Sequence, residues 1–299
     1  MTDATSQSGG GTGPGGLPFT INLQKVNKIV GYTAFGLPWV LLLVTALTGA
    51  CFNASISHYY YTRIGGDFFV GALTFIGMLL LFFYVIPDDA NPDQLEGYRH
   101  HNKLDMILLK IAGAAAFGIA FVPANGTGCD LSGEVVRAFL TDTKGSVAFP
   151  FGESPVTGTI GFDFWATWGV TEGVLRFTHF GSALVMFSVL AYFSAVVFAR
   201  DNSSASKKSD GTPHTTKLRR NSWYRVLGII IAACIVAIGL GAYLSGQSES
   251  FVAFWDHYRL TFVFEAIALM SFGLSWLIKG RFIKYFEDPN GHHTRKLAA

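Results

Sequence analysis

Charge is what this chain has least of. Asp, Glu, Lys and Arg make up 14% of its 299 residues, where a soluble domain carries about 25%. That shortage excludes an ordinary soluble domain of this length, because too few polar side chains are present to cover its surface. The signed balance is only +2, and no basic stripe interleaved with aromatics occurs, so nothing points to a nucleic-acid partner. Cysteine is rare, with 3 copies and no C-x-x-C pair, which argues against thiol redox chemistry and a thiolate zinc site. The phosphate-binding G-x-x-x-x-G-K-[ST], a G-x-G-x-x-G after a strand, the G-x-S-x-G elbow and H-E-x-x-H are all missing. No histidine falls in the middle of an apolar run, which argues against a b-type haem held between helices. No cofactor is therefore expected.

What is present is long apolar sequence. Half of the residues are hydrophobic and 27 are phenylalanine. Six runs stand out, at 30–50, 68–86, 104–122, 177–198, 224–244 and 260–279, each about the 20 residues that a helix needs to cross a hydrocarbon core of about 30 Å. The fold class predicted is an all-α membrane protein, a polytopic bundle of six transmembrane helices. Residues 1–20 are rich in Gly, Ser and Thr and read as a flexible tail without a signal-peptide pattern. The transmembrane domain covers 21–285, and 286–299 is a short polar tail. Pro38 falls inside the first run, a kink that membrane helices tolerate. Gly113 to Gly118 and the pair Gly239 and Gly241 give small-residue faces for close helix approach. Trp223, Tyr224, Trp255 and Trp276 fall near run ends and are expected in the interfacial aromatic belt.

The cations are sorted by side. With the N-terminus inside, the cytoplasmic segments hold sixteen Lys and Arg, six of them in the connection 199–223. The opposite side holds only Arg63, Arg137, Lys144, Arg176 and Arg259, and Lys110 lies within a run, where it can snorkel to the headgroups. This positive-inside bias predicts a multi-pass protein of the bacterial inner membrane with both termini cytoplasmic.

The sorting also isolates the side chains that could carry chemistry. Of eight histidines, His58, His179 and His257 fall on the outer side, each near a helix end and each with charged company. Asp67, Arg176, Asp256 and Arg259 lie beside them, and Glu265 follows inside the sixth run. A carboxylate in a span is costly unless it faces protein, water or a ligand, which makes Glu265 a functional candidate, with Arg176 or Arg259 as its expected counter-ion. The eight residues could line an outward polar pocket for a small solute, ion or lipid headgroup. The three histidines could instead hold a divalent metal such as zinc, which would activate water. They could also form a salt-bridge network that only joins helix ends.

The longest connection, 123–176, is predicted to be an outer cap with a short helix over Leu131–Leu140, since a structureless loop of this length is uncommon. Cys51 and Cys129 fall on the same side and could be bridged in an oxidising compartment. The sequons at Asn53 and Asn125 face outward as well.

HYYYTRIGGDFFVGAL, KIAGAAAFGIAFVPA and FVFEAIALMSFGLSWLIKG together resemble an uncharacterised bacterial six-helix membrane family, itself similar to DRAM-like proteins. The resemblance spans about 25–285 and implies a six-helix fold without an assigned activity. The leading expectation is a receptor-like or transport-related protein, leaning away from an enzyme. The alternatives are a metal-dependent membrane hydrolase using the same outer cluster, and a structural or assembly subunit. The lipid bilayer is the one partner implied, and oligomerisation is left open.

Overall fold

The computed structural model describes residues 23–48, 52–84, 102–122, 124, 165, 168–200, 206–280 and 282–287. These are mainly helical, with no strand among them and a single isolated bridge between Lys207 and Pro213. The two tails, Cys51, Cys129, Asn125, Leu131–Leu140 and most of the expected cap lie outside the described residues.

Among the described residues, six helices are long and apolar enough to cross a membrane, and they coincide with the six runs. They are α1 (Leu23–Thr48), α2 (Arg63–Met78), α3 (Lys103–Phe121), α4 (Glu172–Tyr192), α5 (Thr215–Ser245) and α7 (Leu260–Lys279), with a short α6 (Glu249–His257) between the last two. The helices α2 and α4 each run on into one wider π-type turn, Leu79–Phe83 and Phe193–Val197. The chain is thus an all-α membrane bundle. Pro38 sits within α1 without ending it.

Local signals set several helix ends. The start of α3 is a capping box: the Asn102 carboxamide oxygen accepts from the Asp105 amide at 2.8 Å, and the Asp105 carboxylate accepts from the Asn102 amide at 2.9 Å. Ser248 caps α6 by accepting from the Phe251 amide at 3.3 Å. The start of α7 is less ordinary, because Arg259 at its N-cap adopts a left-handed backbone with φ 50°, a conformation uncommon outside glycine.

The spanning helices close into a ring in the order α1, α2, α3, α4, α5, α7 and back to α1. The last helix, α7, is the innermost: 61% of its apolar window is buried, against 28–39% for the other five. Backbone meets backbone around the ring because glycine leaves room. A Cβ on Gly273 of α7 would lie 2.7 Å from the Gly31 carbonyl of α1, one on Gly113 of α3 would lie 2.9 Å from the Gly77 carbonyl of α2, and one on Gly228 of α5 would lie 2.6 Å from the Ala195 amide after α4. Gly118 makes room for the Ser182 side chain. Gly241 accepts the Trp255 ring of α6, whereas nothing comes within 4 Å of Gly239.

The aromatic belt is narrower than the sequence implies. Trp276 and Tyr224 are core residues, each 2% exposed. Trp276 stacks edge-on against Tyr84, Phe198 and Phe272. Of the four, Trp223 is the one that is clearly exposed. Hydropathy alone does not separate an amphipathic ring at the lipid surface from the same ring turned inward against other aromatics.

Candidate functional site

The two ends of the bundle are built differently. At the end that carries Tyr59, the segment after α1 folds back over the ring as a roof, ending in one 3-10 turn, Ser57–Tyr61. Its anchors are specific. The Phe262 amide of α7 donates to the Ala54 carbonyl at 3.0 Å, the Tyr61 hydroxyl donates to the Ala124 carbonyl at 2.6 Å, and the Tyr59 and Thr45 hydroxyls lie 2.7 Å apart. Phe52 packs edge-on against Phe262. Burial pushes the Tyr59 phenol above its ordinary pKa, with the Thr45 hydrogen bond opposing that rise. Asn53 is buried in this roof at 2% exposure, so its sequon is closed to a glycan.

Glu265 reaches up from the second turn of α7 into the roof. Its carboxylate accepts from the Ile56 amide at 2.6 Å, and the Ser57 amide donates to it as well. No ion pair joins it to Arg176 or Arg259, so the expected counter-ion is replaced by two backbone dipoles. Beneath the carboxylate lies a cavity of about 30 Å³, room for one or two water molecules. Its walls come from five helices: Leu37 of α1, Phe69 and Leu73 of α2, Ile119 of α3, Ala183, Met186 and Phe187 of α4, and Leu269 of α7. The lining is almost wholly apolar. Glu265 and Ser57 bring its polar side chains.

His179 lies one turn outward from Ala183 on the same face of α4 and is 1% exposed. Its Nδ1 lies 2.6 Å from the Val122 carbonyl. A carbonyl only accepts, so this nitrogen carries a proton and donates it. His58, in the roof, is within electrostatic reach of His179.

The other sequence-predicted members spread out. Asp67, Arg176, Asp256 and His257 are exposed, and Arg259 is half-buried. Of the eight, only Glu265 lines the cavity. Among the described residues, no group of three or more His, Cys, Asp or Glu is placed to hold a metal ion, so His58, His179 and His257 do not form a histidine ligand set.

The opposite end holds a polar cluster that sequence reasoning passed over. Asp105 is fully buried and pairs with the Arg200 guanidinium at 2.5 Å, while the other arm of Arg200 donates to the Tyr192 hydroxyl at 2.9 Å. Lys217 donates to the Arg200 carbonyl. Arg220, 1% exposed, donates to the Phe286 carbonyl at 2.6 Å and to the Ser206 hydroxyl at 3.0 Å. Asp105 has a counter-charge in Arg200, and Lys217 and Arg220 donate to backbone carbonyls and a hydroxyl, so the cluster ties chain segments together at this end. The signal available in sequence was the Asn102-x-x-Asp105 box; nothing in sequence marks the burial of Arg220 within a basic run.

Comparison with protein-family models, with curated proteins and with solved structures finds no match to this chain, so function has to be read from its own residues.

Proposed function

We propose that the protein is a transport-related membrane protein, or a receptor of similar build, whose ligand is a small monovalent cation of the proton or ammonium class received at Glu265. One observation carries this reading: a carboxylate stands over an apolar cavity inside the helix ring, with backbone amides and no cationic side chain as its partners. An ionisable group in that position is expensive to maintain and marks a functional site by default. The lining narrows the ligand. A hard divalent ion needs six or more oxygen ligands, and these walls offer the Glu265 carboxylate and Ser57. The size of the cavity suits water, a proton carried with it, or a cation of similar volume. A larger organic solute does not fit the cavity.

The same reading places the protein in a bacterial inner membrane with both termini cytoplasmic, the cavity opening to the outer side and the Arg200, Lys217 and Arg220 end facing in. The sidedness of the cations supports it.

The test is flux and binding measured together. Protein in liposomes loaded with a pH-sensitive dye receives an ammonium pulse or a potential step, and the thermal shift on adding ammonium is read in parallel. The wild type is expected to move the dye signal and to gain thermal stability with ammonium. Glu265→Gln, which keeps the shape and the melting transition, is expected to fall to the level of empty liposomes and lose the shift. Equal responses from the wild type and Glu265→Gln in both assays would sink the proposal.

A further inference from the structure

We infer that the outer half of α4 is a binding groove for one anionic glycerophospholipid, with Arg176 on the phosphate and an acyl chain along Gly173, Phe177, Gly181 and Leu184. These positions, with Phe180, fall on a single face at i, i+4, i+7, i+8 and i+11, and they line an open groove of about 420 Å³. The walls are rings turned outward, Phe177 at 80% exposure and Phe180 at 48%. The floor is left open by two glycines: a Cβ built on Gly173 or on Gly181 meets nothing within 4 Å. This face therefore does not serve the helix ring, which uses the other side of α4.

Length and charge decide the occupant. From Gly173 to Leu184 the helix advances about 16 Å at 1.5 Å per residue, close to half of a hydrocarbon core of about 30 Å. The groove thus has the depth of one leaflet and suits one acyl chain. At its mouth, in the second turn of a spanning helix, stands Arg176, exposed and with no ion pair or hydrogen bond among the described residues. A planar guanidinium at headgroup depth matches a phosphate in two-point contact. A cation with no counter-charge among the described residues, above an apolar slot of leaflet depth, fits the polarity of a phospholipid, charged head outward and chain inward. The site is separate from Glu265, since none of its residues lines that cavity.

Native mass spectrometry of the full chain, released from vesicles of equal phosphatidylglycerol and phosphatidylcholine with matched chains, tests this. The wild type should retain a phosphatidylglycerol adduct in preference to phosphatidylcholine. Arg176→Gln should erase the preference between the headgroups. Gly181→Leu should lose the adduct of either lipid, because the new side chain fills the slot without meeting the protein. Circular dichroism should leave all three equally helical. Adduct patterns that are the same in the three proteins would overturn the inference. So would a wild type that keeps no lipid, the result expected if segment 125–164 or a second copy of the chain fills the groove.

Discussion

Two buried carboxylates show how differently one chain can treat the same group. Asp105 is fully buried and fully answered: Arg200 pairs with it, and it closes the cap of α3. Removing it leaves a guanidinium facing a gap and an open helix end. Asp105→Ala should therefore lower stability by about 2–4 kcal/mol, the loss of a charged hydrogen bond and a helix cap together, with Arg200 itself 26% exposed. A thermal or denaturant melt in detergent checks this, and Asp105→Asn, which keeps the cap, should cost clearly less. Glu265 is answered only by amides, so Glu265→Gln should leave the melt nearly unchanged. Sequence singled out Glu265 and passed over Asp105 for a physical reason. A carboxylate amid Phe, Ala and Leu breaks the pattern of a span, whereas an Asp three residues after an Asn at a helix start is ordinary capping chemistry. The scattered members, Asp67, Asp256 and His257, were chosen by side of the membrane. Side sets depth; it does not set which way a residue faces around its helix, and here that direction separated them.

At the scale of elements, what holds this bundle together is the closeness of backbones, and sequence shows that only in part. The hydrophobic effect drives folding of soluble cores, but lipid is as apolar as leucine, so helices in a bilayer associate through dispersion at short range. Four glycine contacts supply that range around the ring. Gly113, Gly118 and Gly241 stood out in sequence as members of small-residue clusters. Gly228 and Gly273 did not, because each is a lone glycine whose neighbour across the interface is far away in the chain. Gly228→Leu should break the contact between α4 and α5, since even a Cβ there comes within 2.6 Å of the Ala195 amide. The expected result is loss of the folded, monodisperse peak on size exclusion. Gly239→Ala is the matched control. Nothing lies within 4 Å of its new methyl, and removing a helix-interior glycine should raise stability by about 0.5–1 kcal/mol.

Over the whole molecule, the number and place of the spans were legible because each is a long apolar run, and the closed ring was not, because no run names its neighbour. What sequence and structure share is a sidedness. The end that carries Arg200, Lys217 and Arg220 also presents Lys207 and Lys208 on a tight exposed hairpin, in which Gly211 takes a positive φ of 81° and Asp210 accepts from the Thr212 amide and hydroxyl. Those bonds hold the Asp210 carboxyl below its usual pKa. The opposite end shows few cations, Arg176 and Arg259 among the described residues with placed side chains. With six spans among the described residues, one measurement of side orients the whole set. Single cysteines at Ser209 on the hairpin and Ser250 in α6, both exposed, give that measurement in a chain with Cys51 and Cys129 changed to Ser; Cys234 is buried and stays silent. In intact spheroplasts a membrane-impermeant maleimide should label Ser250→Cys, and it should label Ser209→Cys only once the membrane is opened. The reverse pattern would turn the bundle over. The cavity beneath Glu265 would then open to the cytoplasm, and the Arg176 groove would lie in the inner leaflet.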